Sequence, residues 1–278
     1  MSPIQKAVDC HLHVYWPQRY PFPEGPGYRP APGEAVADPD TLWNTLGKHG
    51  VTHALLVQPG GYAFDNLAMI DTIATSNGRV KGIAAVPLSA SDKELAGLKC
   101  RGIVGLRLNL YSFDADVFEK AGIDEFLRKC AEHDLFVEVF ALSPMWPKIA
   151  RPLRASGARL IIEHMGWPDV TQGIEQLGFQ TVLGLARDAD VAVKLTCGFR
   201  LTNTGFPYDD LTPYAHALLD TFGTGRCMWG SDWPLLNPGH QRPVHYQEEH
   251  TMLERWIPDE KQRAEVLWDT PARLFGLG

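Results

Sequence analysis

The chain has 278 residues, of which 45% are hydrophobic and 21% charged, with 26 glycines and 21 prolines. This composition is that of an ordinary globular protein and excludes collagen-like, coiled-coil and disordered chains. The 33 acidic and 26 basic residues give a formal net charge of -7 without any Lys/Arg-rich run, which argues against nucleic acid or an anionic membrane as a partner.

The five cysteines are odd in number and include no C-x-x-C pair. This pattern favours free thiols in a reducing compartment over disulfides or a zinc ribbon. The first fifteen residues contain Lys6 and Asp9, and no later apolar run reaches the roughly 18 residues that cross a membrane. We therefore expect a cytoplasmic protein that acts on a small molecule, and a homo-oligomer is compatible with the sequence.

Apolar runs of strand length recur along the chain, and each is followed by a stretch of helical periodicity. The strands are predicted at 7–14, 51–58, 80–87, 102–109, 135–141, 159–164, 191–196 and 226–231. The helices are predicted at 40–49, 65–77, 91–98, 123–133, 144–155, 172–188, 210–222 and 259–275. Asp40, Asp65 and Ser91 occupy the expected N-cap positions of the first three helices.

The predicted strands are continuously apolar, which is typical of a parallel sheet covered by helices on both faces. Eight strand-helix units in about 250 residues predict an α/β fold, a single-domain (β/α)8 TIM barrel over 1–278. An open doubly wound sheet is the alternative, but residues 9–13 read D-C-H-L-H where a dinucleotide fold has its glycine-rich turn. The aperiodic segment 15–39 holds seven prolines and is predicted to be an excursion at the mouth of the active site.

Polar and ionisable residues gather at the carboxyl ends of the predicted strands, where barrel enzymes place their chemistry. His11 and His13 are two residues apart on a strand, so both side chains leave the same face and can converge on one atom. Further residues at strand ends are Gln58, Arg107, Asn109, Glu163, His164, Lys194, Cys197, Arg200 and Asp232. A single histidine or aspartate could equally be a hydrogen-bonded core group or a helix cap. Their common position at one rim favours an active site.

Four motifs, three at strand ends and one in the last predicted helix, extend the pattern over nearly the whole chain. They are D-C-H-L-H at 9–13, E-H-M-G at 163–166, W-G-S-D-W-P at 229–234 and T-P-A-R-L-F at 270–275, with Y-R-P at 28–30 and G-L-R-L-N at 105–109 in addition. The set resembles the amidohydrolase superfamily, specifically the amidohydrolase-2 branch that includes 2-pyrone-4,6-dicarboxylate lactonase and sugar lactonases. The resemblance implies a barrel hydrolase that opens a lactone ring.

The resemblance also implies individual roles. Asp232 would be the general base that activates water, and His11, His13 and His164 would surround and polarise the lactone carbonyl, as a carboxylate base and imidazole donors can do. The implied substrate-binding residues are Arg107, Arg200, Tyr28, Gln58, Asn109 and Trp167. The guanidinium groups of Arg107 and Arg200 are suited to binding a substrate carboxylate. The alternative role for each arginine is a structural ion pair at the rim of the barrel.

Two departures from the dicarboxylate lactonase pattern bear on the substrate. Trp167 stands where that pattern has an arginine, and L-Y-S at 110–112 lacks the second arginine nearby. Because a buried carboxylate without a cationic partner is costly, we expect a monocarboxylated, neutral or sugar-like lactone instead of that dicarboxylate. Trp167 and Tyr111 would offer a flat apolar surface to it.

Metal dependence follows from the ligands present. Binuclear relatives add a lysine or glutamate on strand four and a histidine on strand five, whereas this chain has Arg107 and no histidine at 135–141. We expect no required cofactor, with one zinc ion on His11, His13 and Asp232 as the alternative. A mononuclear zinc-dependent hydrolase or decarboxylase of the same superfamily, and a noncatalytic small-molecule binding barrel, remain as alternative functions.

Overall fold

The computed structural model describes residues 6–24, 37–111, 116–188, 190–236 and 244–278. Its eight parallel strands form one sheet whose spatial order follows the chain. They are β1 (Val8–Leu12), β2 (His53–Val57), β3 (Val80–Ala84), β4 (Ile103–Asn109), β5 (Phe136–Phe140), β6 (Leu160–Ile162), β7 (Val191–Thr196) and β8 (Cys227–Gly230). The predicted single-domain TIM barrel is confirmed, and the open doubly wound sheet is excluded.

Helices follow the strands and cover the outside of the barrel. They are α1 (Pro39–Lys48), α2 (Leu67–Ala74), α3 (Asp92–Cys100), α4 (Ile123–Glu132), α5 (Trp146–Ala155), α6 (Leu177–Leu185), α7 (Gly198–Leu201), α8 (Thr212–Phe222), α9 (Tyr246–Trp256), α10 (Glu260–Ala264) and α11 (Thr270–Phe275). The short helix α7 and the helix α9 were not predicted. No helix of the described residues is long and apolar enough to span a membrane.

Helix starts follow local capping chemistry. Ser91 and Glu94 form the predicted cap of α3, since the Ser91 side chain accepts from the Glu94 N–H and the Glu94 carboxylate accepts from the Ser91 N–H. The cap predicted at Asp40 is wrong, because the N-cap of α1 lies two residues earlier, at Asp38. Asp38 caps α1 by accepting from the Thr41 N–H at 2.8 Å, and proline at the first helical position suits that start.

The barrel closes where residues after β8 meet the end of β1. The Asp232 N–H donates to the His11 carbonyl at 2.7 Å, and the His13 N–H donates to the Trp233 carbonyl at 2.8 Å. A Cβ on Gly230 would lie 2.5 Å from the His11 nitrogen, so this approach requires glycine. The seam therefore places the D-C-H-L-H and G-S-D-W motifs side by side.

A buried carboxylate reinforces this seam. Asp9 accepts from the Ser231 N–H at 3.0 Å, the Ser231 hydroxyl at 2.5 Å and the Tyr246 hydroxyl at 2.9 Å. One side chain thus joins β1, the end of β8 and α9. Burial raises the pKa of Asp9 to about 6, although these hydrogen bonds oppose the shift.

An apolar cluster fills the interior below the strand ends. It includes Phe136, Ala192 and Met228 at the starts of their strands, and Phe275 and Leu277 from the chain's end pack against it. Two residues further along β5 and β7, the inward positions become ionisable. The interior therefore changes from apolar to charged toward the carboxyl ends of the strands.

The proline-rich excursion after β1 is described only at its ends. Tyr15 and Ala37 exchange backbone hydrogen bonds at 3.0 and 3.1 Å, so the two ends lie together. Tyr15 also lines a cavity at the strand ends. Tyr28 lies outside the described residues, and its role stays a prediction.

Candidate active site

A cavity of about 190 Å³ opens at the carboxyl ends of the strands. Six of the predicted site residues line it: His13, Arg107, Asn109, His164, Arg200 and Asp232. His11 lies just beneath them and is fully buried. Trp167 backs the cavity wall, while Gln58 lies in a neighbouring cavity.

Asp232 lies at the centre of the cluster. Its Oδ1 is 3.3 Å from His13 Nε2 and 3.6 Å from His11 Nε2, and its Oδ2 accepts from the Cys197 thiol at 3.3 Å. Burial opposes ionisation of Asp232, but the hydrogen bond from His13 and the surrounding positive charges hold its pKa below the usual range. The side chain is therefore a carboxylate at neutral pH and can accept a proton.

The two histidines of β1 are oriented differently. His13 Nδ1 donates to the Val57 carbonyl at 2.8 Å, which directs Nε2 toward Asp232. His11 Nδ1 lies 3.3 Å from the Lys194 ammonium, and its Nε2 is buried without a hydrogen-bond partner among the described residues. Burial and the charge of Lys194 hold the pKa of His11 well below its ordinary value, so this ring is neutral.

His164 completes the group from the end of β6. Its Nδ1 lies 2.7 Å from the Thr196 hydroxyl and its Nε2 lies 3.4 Å from a Glu163 oxygen. Burial lowers the pKa of His164 to about 4, so this ring is also neutral near pH 7. The His11 and His164 ring centres are 4.5 Å apart.

The backbone at these strand ends is strained. Non-glycine residues adopt left-handed conformations at His164, Trp167, Cys197 and Asp232, with φ of 49°, 47°, 65° and 62°. Such conformations are costly and gather where a fold must aim particular side chains. The strain coincides with the cluster and supports its interpretation as a functional site.

Arg107 is held inside the protein by a buried carboxylate. Its Nε and Nη2 donate to both oxygens of Glu163 at 2.7 Å, and Nη1 donates to the Gln58 carbonyl at 2.9 Å. Despite burial, Arg107 lowers the pKa of Glu163 to about 2. Arg107 thus forms the ion pair that was the alternative for it, but it also lines the cavity, and its role in substrate binding stays a prediction.

Arg200 is placed differently from Arg107. It lines the cavity from α7, its guanidinium lies 4.9 Å from the Trp167 ring centre, and no carboxylate of the described residues pairs with it. Stacking of this kind holds the flat guanidinium over the ring without using its hydrogens. Arg200 can therefore offer a charged, bidentate donor to an anionic group in the cavity.

A second cavity of about 260 Å³ adjoins the first, and Arg107 and Asn109 line both. Its other walls are largely apolar, formed by Pro23, Phe64, Ala85, Val86, Leu88 and Leu108. Gln58 also borders this cavity, but its amide donates to the Ala63 and Asp65 carbonyls. The Gln58 amide group thus organises the loop after β2.

Several residues that support the site were not assigned a role from the sequence. Lys194 and Glu138 form an ion pair at 2.6 Å inside the barrel, and both are fully buried. The Cys197 thiol donates a hydrogen bond to Asp232. Burial keeps the pKa of this thiol well above its ordinary value, so the thiol stays protonated and does not act as a nucleophile. The sequence does contain a signal for this pair, because Glu138 and Lys194 are residues of opposite charge within two otherwise apolar strands, and charged residues are buried only when they are paired.

Helix α9 supports the segment that carries Arg200. The Glu249 carboxylate accepts from the backbone N–H groups of Gly198 and Phe199 at 3.0 and 3.2 Å. These donors begin α7, where a helix leaves its N–H groups without intrahelical partners. A buried glutamate on an unpredicted helix therefore fixes the segment that carries Arg200.

The spacing of the ligand atoms would suit a single divalent ion. One atom from each of His11, His164 and Asp232 lies within 4.8 Å of the others, as does a second group of His11, Glu138 and Glu163. In the second group, Lys194 and Arg107 already neutralise the carboxylates. The first group therefore presents the better ligand set, with imidazole nitrogens and a carboxylate as in zinc sites.

A parallel barrel with histidines and an aspartate at the carboxyl ends of its strands has the arrangement of a TIM-barrel enzyme. The model of the amidohydrolase family matches residues 8–277, and the chain belongs to that family. The 4-sulfomuconolactone hydrolase of Rhizobium radiobacter is 31% identical to this chain, and the alignment covers 99% of this chain and 93% of that enzyme. The 2-pyrone-4,6-dicarboxylate hydrolase of Comamonas testosteroni is 29% identical, and the alignment covers 97% of this chain and 90% of that enzyme.

Solved structures agree with this assignment. A probable 2-pyrone-4,6-dicarboxylic acid hydrolase from Acinetobacter baumannii, crystallised with citric acid, superposes with a TM-score of 0.85 at 27% identity, covering 97% of this chain and 99% of its own. An amidohydrolase from Burkholderia multivorans with bound zinc shares the fold at a TM-score of 0.78 and 21% identity, covering 98% and 99%. The predicted family and the enzyme class are confirmed.

Proposed function

We propose that the protein opens a lactone ring by attack of a water molecule that Asp232 activates. The observation that carries this proposal is the placement of the Asp232 carboxylate in the cavity wall, 3.3 Å from His13 Nε2. The named relatives that act on lactones support the reaction type.

The chemistry follows from the residues around the cavity. Asp232 takes one proton from water as the oxygen attacks the carbonyl carbon. His164 lines the cavity beside Asp232 and would supply an N–H donor to the developing oxyanion, while His13 orients Asp232 through its Nε2. The bond between the carbonyl carbon and the ring oxygen then breaks, and the proton held by Asp232 is available to the departing oxygen. The products are a carboxylic acid and a hydroxyl group on one chain.

The substrate we propose is a lactone with one anionic group or none. Arg200 is available to an anion, whereas Glu163 and the Gln58 carbonyl occupy three of the hydrogen-bonding groups of Arg107. The adjoining apolar cavity is suited to an uncharged part of the molecule. A sugar-like or aromatic-derived lactone with a single carboxylate meets both conditions.

Asp232→Asn tests this function. The amide is nearly isosteric but cannot take a proton, so we expect kcat to fall at least about 100-fold while product affinity and fold are retained. Turnover is measured by proton release over a panel of carboxylated lactones, and product binding by tryptophan fluorescence. Wild-type turnover in the variant would exclude the base, and binding without turnover by the wild-type protein would favour a noncatalytic barrel.

A zinc-dependent hydrolase is the second candidate, favoured by the spacing of His11, His164 and Asp232. We propose that no metal is required. Arg107 and Lys194 already neutralise Glu163 and Glu138, so that among the acidic groups of the two candidate ligand sets only Asp232 remains to offset the charge of a divalent ion.

A further inference from the structure

The buried ammonium of Lys194 lies between two groups that the proposed reaction does not use directly. It is 2.6 Å from Glu138 Oε2 and 3.3 Å from His11 Nδ1, and all three side chains are fully buried. A fully buried lysine is rare and loses its hydration, so its contacts set the state of its neighbours.

The contact with Lys194 determines where the His11 ring carries its hydrogen. An ammonium has three hydrogens to donate and no lone pair to offer, so His11 Nδ1 can only accept from it. Glu138 Oε1 could take a hydrogen from the same Nδ1, but it lies 3.6 Å away, beyond hydrogen-bond distance. The lysine contact is the shorter one, and it leaves the ring hydrogen on Nε2.

We propose that Lys194 is a positioning residue that holds His11 in its Nε2–H form and thereby prevents His11 from ligating a metal ion. The hydrogen on Nε2 then points toward Asp232, whose Oδ1 lies 3.6 Å from the Nε2 nitrogen. In the opposite tautomer a nitrogen lone pair would face the carboxylate, where it would repel Asp232 and be available to a cation. Lys194 thus selects the form of His11 that is compatible with an ionised base.

His13 shows the contrasting arrangement in the same site. Its Nδ1 donates to the Val57 carbonyl at 2.8 Å, which is how a metal-bound histidine normally uses its second nitrogen. His11 has an ammonium at the corresponding position. The spacing of the ligand atoms therefore suits a metal ion, but the hydrogen arrangement at His11 does not.

The wild-type protein tests the tautomer directly, without substrate. Long-range proton-nitrogen correlation spectra of protein with ¹⁵N-labelled histidine report which ring nitrogen carries hydrogen, and His11→Gln identifies the His11 signals. We expect His11 to show a protonated Nε2 and an unprotonated Nδ1. A hydrogen on Nδ1 of wild-type His11 would overturn the proposal.

Lys194→Met extends the test by removing every donor at similar side-chain length, and Lys148→Met on the exposed side of α5 is the matched control. We expect the Lys194 variant to shift His11 toward the Nδ1–H form. Calorimetric titration with zinc chloride should give at least about tenfold higher affinity than in the wild type or the control. Equal zinc affinities in all three proteins would refute the proposed exclusion of metal.

The catalytic consequence rests on the proposed function and is measured separately. In Lys194→Met we expect kcat to fall with little change in KM, because the lysine does not touch the cavity. If the single variant fails to fold, Lys194→Met combined with Glu138→Met leaves no unpaired charge in the interior. Retention of a pure Nε2–H signature in that double variant would show that Lys194 does not set the tautomer.

Discussion

Replacing Arg200 by glutamine should separate substrates by their charge. The guanidinium lines the cavity, stacks on Trp167 and has no carboxylate partner among the described residues. A lost hydrogen bond to a charged group costs about 1.5–3 kcal/mol, or roughly 10- to 150-fold in kcat/KM. We expect Arg200→Gln to lose that factor on a monocarboxylated lactone, and much less on the methyl ester of the same lactone.

The assay is kcat/KM for the acid and its methyl ester, measured by proton release with wild type and variant. Arg151→Gln, an exposed substitution on α5, changes the net charge equally and should leave both values unchanged. Equal losses on acid and ester would mean that Arg200 supports the fold of the site. No loss on either substrate would show that another group binds the carboxylate. Efficient use of 2-pyrone-4,6-dicarboxylate by the wild type would refute our interpretation of Trp167 and Arg107.

Three further outcomes are expected. Exhaustive chelation should leave activity intact, and loss that zinc restores would establish the metal-dependent alternative. Iodoacetamide at pH 8 should label Cys100 in the native protein without loss of activity, because burial raises the pKa of Cys197; mass spectrometry of the labelled peptides checks this. Asp9→Ala should lower the free energy of unfolding by about 3 kcal/mol or more, because buried donors of Ser231 and Tyr246 lose their acceptor. Denaturant titration measures this loss, and a clearly smaller value would contradict the prediction.

The positions of His11, His13, His164 and Asp232 could be predicted because the topology of a parallel barrel brings all strand ends to one rim. Their neighbourhood depends only on the identification of the strands and on the direction in which the strands run. No knowledge of side-chain packing was needed. The histidine pair and the aspartate after β8 therefore lie together as expected.

The partners of these residues could not be predicted in the same way. Whether Arg107 faces a substrate or Glu163 depends on distances across the barrel interior, which strand assignment does not provide. The same holds for Lys194 and Glu138, which lie on β7 and β5 and are not paired in the sheet. Helix α9 was missed because Glu249, a carboxylate, occupies a buried position of its periodic pattern.

The division of the interior into two levels has an evolutionary consequence. His11 and the ion pair of Lys194 with Glu138 lie beneath the cavity, whereas Arg200, Trp167 and Tyr111 stand on segments that follow the strands. Mutations at those three positions can change which lactone is accepted while Asp232 and the buried groups around it stay the same. A duplicated gene of this kind could therefore acquire a new substrate through a few changes at the rim, without passing through an inactive intermediate.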